Sequence, residues 1–553
     1  MPERKSNLLI PVVGATVLLA GSVATYLYFQ GPSGDSSGAL GSAKLVPATA
    51  VMATYITTDS QAWEKLEEFG TPEAQKIVAE GLAAFQEDVF SEGNISYEQD
   101  LKPWIGGVML AIIPPNPTTV AQSNQAKQSK TGVLMVVGIK DKVKALSFAN
   151  KLKAEKEITV EESDYKGETI TAVTQNGRQT YSAILNNDYL VLSGEKLAVE
   201  NAIETFQGEP SFASQEGRNK ILTANADMKN ILAQVYIPDY ADMMEKLVAA
   251  SPQNRQLPPQ TLQQFKQVKS LVARVGVDDQ GVRMRAIANL DPELNKLEYQ
   301  PTPAKIIGQL PLDTLGMISG NNISRSWSAI VEQSQDDPQF NQILQLLRGQ
   351  LNFVDIDLEQ DVFGWMDQEF AFATIPSNPG ILPNLGVGGA LLLGTSDRQT
   401  ASATLTKLDN LAKTQQINVT KTKIDGKDVT EWQLRGQRAL LSHGWLNQDT
   451  LFLAVGGSVA EAIATNNTPK LDSSDTFKTV TGSLPQSNAG YFYIDVAKTT
   501  SLINSVAPQG KPLPPELNTV LNSIHGFGVT ATSPDKFTTE LEMLLALKPK
   551  TAE

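Results

Sequence analysis

Two lengths of the chain read almost alike in their order of polar and apolar positions. YEQDLKPWIGGVMLAIIPPNP runs from Tyr97 to Pro117, and LEQDVFGWMDQEFAFATIPSNP from Leu358 to Pro379. Each opens on acidic and amide residues, keeps an Asp-x-x-x-Trp spacing, enters an apolar run and stops at proline. That order predicts a short helical turn, then a strand, then a break. Further along, GETITAVTQNGRQTYSAILNNDYLVLSG begins at Gly167 and alternates apolar with polar residues. Asn176-Gly177 has the composition of a two-residue hairpin turn, and Asn186-Asn187-Asp188 marks a second, which predicts a three-stranded antiparallel meander. KDVTEWQLRGQRALLSHGWLNQDTLFLAVGG, from Lys427, repeats the pattern with Arg435-Gly436 at the first turn. Helical spacing precedes each meander (Asp141 to Glu155; Asp397 to Lys413) and follows it (Glu195 to Phe206; Val459 to Thr465).

These likenesses keep one order. Asp100 and Trp104 stand 261 residues before Asp361 and Trp365, and Met52 and Trp63 correspond to Met317 and Trp327. Gly167 then pairs with Gly426, Asp188 with Asp449, and VGV at Val275 with FGV at Phe527. Such a domain-sized period predicts an internal duplication. The expected organisation is a lobe at 45–297, a proline-containing connection at 298–305, a homologous lobe at 306–547 and a tail at 548–553. The predicted fold class is α+β, each lobe an antiparallel sheet with helices packed on it. The Asp-x-x-x-Trp spacing reads as packing, with tryptophan as core anchor and aspartate as cap.

The N-terminus has a different pattern. Arg4 and Lys5 precede an uncharged run whose apolar part, Leu8 to Phe29, spans about 33 Å as a helix, enough for a bilayer core. Residues 1–30 therefore read as a single-pass transmembrane anchor contacting lipid through 8–29. The preceding cations predict a cytoplasmic N-terminus, with the bulk of the chain in the periplasm or thylakoid lumen, on an inner or thylakoid membrane. The competing reading is a cleaved signal peptide ending at Ser22-Val23-Ala24. The apolar run continuing into TYLYF favours retention. Residues 31–44, rich in Gly and Ser, read as a flexible linker.

Composition narrows the function. With 60 acidic against 46 basic residues, the net charge of −14 argues against a nucleic-acid partner. The absence of cysteine excludes disulfides, thiolate metal sites and cysteine nucleophiles. The two histidines, His443 and His525, have no counterparts in the first lobe and no metal-ligand spacing. Ser193-Gly-Glu-Lys196 and Lys130-Thr-Gly132 match S-x-x-K and K-T-G, yet in reversed order and without a partner motif. Asp355, Asp357, Glu359 and Asp361 alternate along an acidic run that lacks the glycine and terminal glutamate of a calcium loop, so it reads as a solvated helix start. No catalytic, cofactor-binding or metal-binding residue is assigned, and no cofactor is expected.

Asp100-Leu-Lys-Pro-Trp104-Ile-Gly106, before an apolar strand and behind an N-terminal membrane segment, resembles the D-x-x-P-W-[ILM]-G stretches of an uncharacterised, mainly cyanobacterial family. Asp361-Val-Phe-Gly-Trp365-Met-Asp367 departs from it at the proline and the last glycine. The resemblance implies membrane attachment and an extracytoplasmic α+β region, and supplies no activity. The expected function is therefore a membrane-anchored, non-enzymatic binding or scaffold protein with a membrane-protein complex as partner. The alternatives are an apolar-ligand (lipid or pigment) binding protein and an extracytoplasmic hydrolase.

Overall fold

In the computed structural model, which describes residues 38–58, 60–78, 102–114, 132–153, 159–175, 178–214, 228–249, 259–295, 300–335, 337–377, 386–433, 439–506 and 513–550, the chain divides between Asp291 and Pro292 into two units. The predicted anchor at 8–29 and the turns at 176–177 and 435–436 lie outside the described residues, as do Asp100 and Lys130. Among the described residues no helix is long and apolar enough to cross a membrane.

Among the described residues unit 1 holds ten strands: β1 Met52–Ile56, β2 Ile105–Ile113, β3 Gly132–Ile139, β4 Thr159–Tyr165, β5 Glu168–Gln175, β6 Arg178–Leu185, β7 Tyr189–Ser193, β8 Ile231–Ile237, β9 Val268–Asp278 and β10 Gly281–Leu290. All pair antiparallel, in the spatial order 4-5-6-7-3-2-1-8-9-10. Helix α1 (Ala39–Ala43) precedes β1, α2 (Lys142–Lys153) joins β3 to β4, and α3 (Lys196–Phe206) follows β7. Sheet alternation decides which helix covers which face. Leu134, Val136 and Val191 face Val199, Ala202 and Ile203 of α3, together with Ala39 and Ala43 of α1. Met135, Val137 and Ile139, on the other face, meet Trp104 and the α2 residues Ala145 and Phe148.

Unit 2 also holds ten: β11 Gly316–Asn321, β12 Glu369–Pro376, β13 Val387–Gly394, β14 Asn418–Ile424, β15 Lys427–Gln433, β16 Ala439–Trp445, β17 Thr450–Val455, β18 Tyr491–Asp495, β19 Ile524–Asp535 and β20 Thr538–Leu547. Their antiparallel order is 14-15-16-17-13-12-11-18-19-20, the order of unit 1 with ten added to each strand. Helices α4 (Ile323–Gln333) and α5 (Pro338–Asn352) lie between β11 and β12, α6 (Arg398–Thr414) joins β13 to β14, and α7 (Val459–Ala464) follows β17. The chain is thus α+β, with antiparallel sheet and packed helices.

Two sequence expectations need correction. The meanders have four strands, not three, because β4 and β14 precede them. TVEESDY and NVTKTKI carry charges and amides where a half-buried strand would carry apolar residues, and both strands are largely exposed. They sit at the edge of the sheet order, where no core face writes an apolar stripe into the sequence and charge discourages unwanted pairing. What holds each in register is its turn. Lys166-Gly167 and Asp425-Gly426 have φ values of 52° and 83°, and of 48° and 82°, the double positive pattern of a type I′ hairpin. A Cβ on Gly426 would meet nothing within 4 Å. Gly426→Ala is therefore expected to lower stability only by the cost of left-handed backbone, about 1–2 kcal/mol, read as a shift in urea midpoint.

The second correction concerns the linker. Residues 38–44 of the predicted 31–44 tether are not free chain: α1 occupies them, and Ala39, Ser42 and Ala43 are buried. Small residues allow this burial, since Gly41 packs so closely on the Tyr189 ring that a side chain there would strike its hydroxyl.

Candidate functional site

The repeated acidic phrase forms a clamp in unit 2. Asp357 caps a π-helical turn, Leu358–Phe363, by accepting the Gln360 N–H at 2.7 Å. Asp361 reaches back to accept the Asp357 N–H at 2.9 Å and takes Lys407 Nζ of α6 at 2.9 Å. The Asp357 N–H foremost, then Lys407, holds the Asp361 carboxyl below the usual carboxylate range. The Asp361 carbonyl receives the Trp365 indole N–H and the Thr404 hydroxyl, both at 2.7 Å. Four residues is one helical turn, so the Asp-x-x-x-Trp spacing is what lets the indole bond the aspartate's own carbonyl. Glu359 is taken by Arg348 of α5 at 2.6 Å, and Asp355 turns the chain with φ 58°. These carboxylates serve the backbone and nearby cations, and no group of three or more metal-ligating side chains occurs among the described residues.

Beside this clamp lies a shallow groove of about 220 Å³, lined by Trp327, Ser328 and Val331 of α4 and by Glu359 and Phe363. Trp327 stacks on Phe363 with ring centroids 4.1 Å apart and planes 19° from parallel. Its indole N–H is buried and has no hydrogen-bond partner among the described residues. The neighbouring helix α5 exposes an apolar face. Asp337 and Pro338 start this helix, with the Asp337 side chain accepting two backbone N–H groups. Leu344 is its buried residue, while Ile343, Leu346 and Leu347 are 60%, 58% and 40% exposed. Phe353 just beyond is 92% exposed, and Ile330 of α4 is exposed as well.

The sequence did not single out this face. Ile343, Leu346 and Leu347 fall at helical spacing, but Leu344 and Leu351 make the helix apolar on several sides, so periodicity alone cannot say which side is covered.

The hydrolase candidates do not converge. His443 on β16 is buried, and its Nε2 lies 2.8 Å from Oδ1 of Asp409 on α6. The same oxygen takes the Trp432 indole N–H at 2.7 Å. Among the described residues no serine hydroxyl bonds the His443 ring, so the trio reads as a satisfied polar link between sheet and helix. Asp409 and Trp432 were not anticipated from sequence, since nothing marks their meeting with His443. Ser193 donates to the Val133 carbonyl and accepts the Glu195 N–H, while Lys196 pairs with Glu200 at 3.4 Å, so S-x-x-K is a strand end followed by a helix start.

His525 sits where the pairing of β19 with β20 shifts register. Burial, then Lys548, pushes its imidazole below the ordinary 6.5, partly offset by Asp495. Well above pH 6.5 both the folded and the unfolded ring are neutral. Below it the unfolded chain binds one more readily, so this contribution to stability is lost as pH falls through the folded value. Thermal unfolding at pH 7.5 and 5.5 is expected to show a smaller acid-side loss in His525→Gln than in the parent.

Residues 12–547 match the family described as "Protein of unknown function (DUF3352)". No curated protein matches the chain. Among solved structures, crystal form III of TP0453 aligns at TM-score 0.26 and 10% identity over 48% of this chain and 83% of that one. Crystal form IV aligns at 0.26 and 9% over 45% and 79%. At that level the likeness carries no argument about this chain.

Proposed function

For a chain that belongs to the DUF3352 family of proteins of unknown function, we propose a non-enzymatic binding or scaffold role, exercised from a membrane anchor at residues 8–29. In this reading two units derived from one ancestral lobe stand in the periplasm or thylakoid lumen. The identical strand order of the units supports the duplication, as does the Asp-x-x-x-Trp spacing in both halves.

One observation carries the binding role: the uncovered apolar face of α5 and Phe353. Soluble surfaces seldom gather such residues without a partner. The flanks are amides, Gln339, Asn341, Gln342, Gln345, Gln350 and Asn352. The helix's one charge, Arg348, is spent on Glu359. A helix face whose one charge is already paired has little electrostatic means of steering or selecting charged partners, so its occupant is an apolar, uncharged surface. An integral membrane protein, beside which the anchor would hold this chain, presents such a surface. The apolar-ligand reading has slighter support, because the groove over Trp327 is smaller than the roughly 300–1,000 Å³ of ordinary ligand sites.

The test uses the full chain in its own membranes. It is expected to resist carbonate extraction, to become soluble when residues 8–29 are deleted, and to copurify with an integral membrane protein. Labelling by a serine-reactive active-site probe, with no such copurification, would overturn the proposal in favour of a hydrolase.

A further inference from the structure

Helix α2 of unit 1 and helix α6 of unit 2 occupy the same place in the strand order and start the same way. Asp141 accepts the Lys144 N–H at 3.0 Å, and Asp397 accepts the Thr400 N–H at 3.0 Å. Counting from these caps gives a residue-by-residue correspondence. At the two positions compared, α6 is polar: Gln399 is exposed and Ser402 half-buried. At the matching positions α2 has Val143 and Leu146, 79% and 64% exposed. Its inward residues need no help from these two, since Phe148 already packs on Trp104 at 5.6 Å and Ala145 joins the same cluster. The fold therefore does not require the exposed pair.

Charge separates the two helices further. In a chain of net charge −14, α2 reads KVKALSFANKLK, with four lysines and no acid. Lys140 lies just before it and Lys102 close by. Burial first, then Lys102 and Lys144, lowers the Lys140 ammonium from its usual value, as cations do when crowded together. Asp188 answers Lys142 at 2.9 Å and Asp141 answers Lys144 at 3.6 Å. In sequence, residues 140–157 carry six lysines against Asp141, Glu155 and Glu157, a basic balance.

We infer that α2 lies on the surface of an anionic lipid bilayer, with Val143 and Leu146 dipping into the headgroup boundary and the lysines meeting lipid phosphates. Exposed apolar residues between long cationic side chains suit a bilayer boundary, where lysine stems reach up past the apolar layer. The position of α2 agrees. Gly41 packs on Tyr189, and the preceding residue, Asp188, holds Lys142, so the chain enters unit 1 beside the start of α2. Between the predicted anchor and Gly38 only residues 30–37 intervene, at most about 27 Å of extended chain. This inference rests on the anchor reading of the proposed function.

The chain has no cysteine, so a single introduced thiol can carry an environment-sensitive fluorophore. The full chain is reconstituted into vesicles of phosphatidylglycerol or of phosphatidylcholine, with the label on Ser147→Cys in α2 or, as a reference, on Ser163→Cys in β4. Flotation reports anchoring, and quenching by spin-labelled lipid reports depth. The inference predicts quenching and a blue shift at position 147 on phosphatidylglycerol, much less on phosphatidylcholine, and none at 163. It predicts loss of the signal in Val143→Glu/Leu146→Glu, and roughly fivefold weaker docking for each of Lys142→Gln and Lys144→Gln. A chain that floats while position 147 stays as wet as position 163 overturns the inference and leaves the anchor standing. A chain that does not float overturns the anchor and this inference with it.

Discussion

Trp365→Ala is expected to cost unit 2 about 3–5 kcal/mol, the range for deleting a buried aromatic side chain. Trp365 is 5% exposed and packs with Leu393, Ala401, Leu405 and Leu451. Its indole also closes the turn onto the Asp361 carbonyl. Losing it empties a core site and frees one end of the clamp that Asp361 holds through Asp357 and Lys407. Trp365→Phe keeps most of the apolar contact and forfeits one hydrogen bond, so about 0.5–1.5 kcal/mol of the loss should remain beyond any packing change. Urea unfolding of the three proteins, followed by far-UV circular dichroism, checks the ranking. A Trp365→Ala midpoint equal to that of the parent would mean the repeated phrase is not an anchor of the core.

Gly490→Ala should be comparably severe, for a backbone reason. Gly490 is buried at the start of β18 with φ 121°, a conformation that residues with a Cβ rarely adopt. A Cβ there would run into the carbonyl oxygen of Ser319 and stand 2.6 Å from its carbonyl carbon and 2.9 Å from the Gly320 Cα. The neighbours cannot retreat, because the Tyr491 N–H donates to the Ser319 hydroxyl at 3.0 Å and the Thr530 hydroxyl to the Gly490 carbonyl at 2.6 Å. Strained backbone and overpacking each contribute about 1–3 kcal/mol, giving an expected loss of about 2–6 kcal/mol. Gly426→Ala provides the contrast within the same unit, with positive φ but open space. A larger drop in urea midpoint for Gly490→Ala than for Gly426→Ala is the expected mark of the collision.

The elements legible in the sequence were those with one face in a core. β2 reads IGGVMLAII with alternate residues buried, and β12 reads EFAFATIP in the same manner, so alternation and a proline stop announced both. Trp104 and Trp365 announced themselves by recurring, and both are buried. β4 and β14 were missed because edge strands have no core face to impose a period, and only the turn glycines Gly167 and Gly426 betrayed them. α1 was read as tether because Ala, Gly and Ser are linker residues by composition. Only the Tyr189 ring, distant in sequence, shows why small residues are needed there.

The candidate site was less legible than the fold, since it consists of what is left uncovered. Leu344 and Leu346 are both leucines of α5, one 3% and the other 58% exposed. No local pattern separates them, because burial depends on whether another element arrives. The Asp409, Trp432 and His443 trio fails sequence reading for a related reason: a helix residue and two neighbouring strands meet only in the folded unit.

The claim that the face of α5 is where this protein meets an integral membrane partner is tested most directly by a photoreactive phenylalanine at Leu346, in the full chain and in native membranes. The account predicts one discrete crosslinked species containing an integral membrane protein, absent when the reactive group stands at exposed Ala403 of α6 and lost when Ile343→Glu is added. A position 346 that crosslinks to nothing but water, or with the same pattern as position 403, would contradict it.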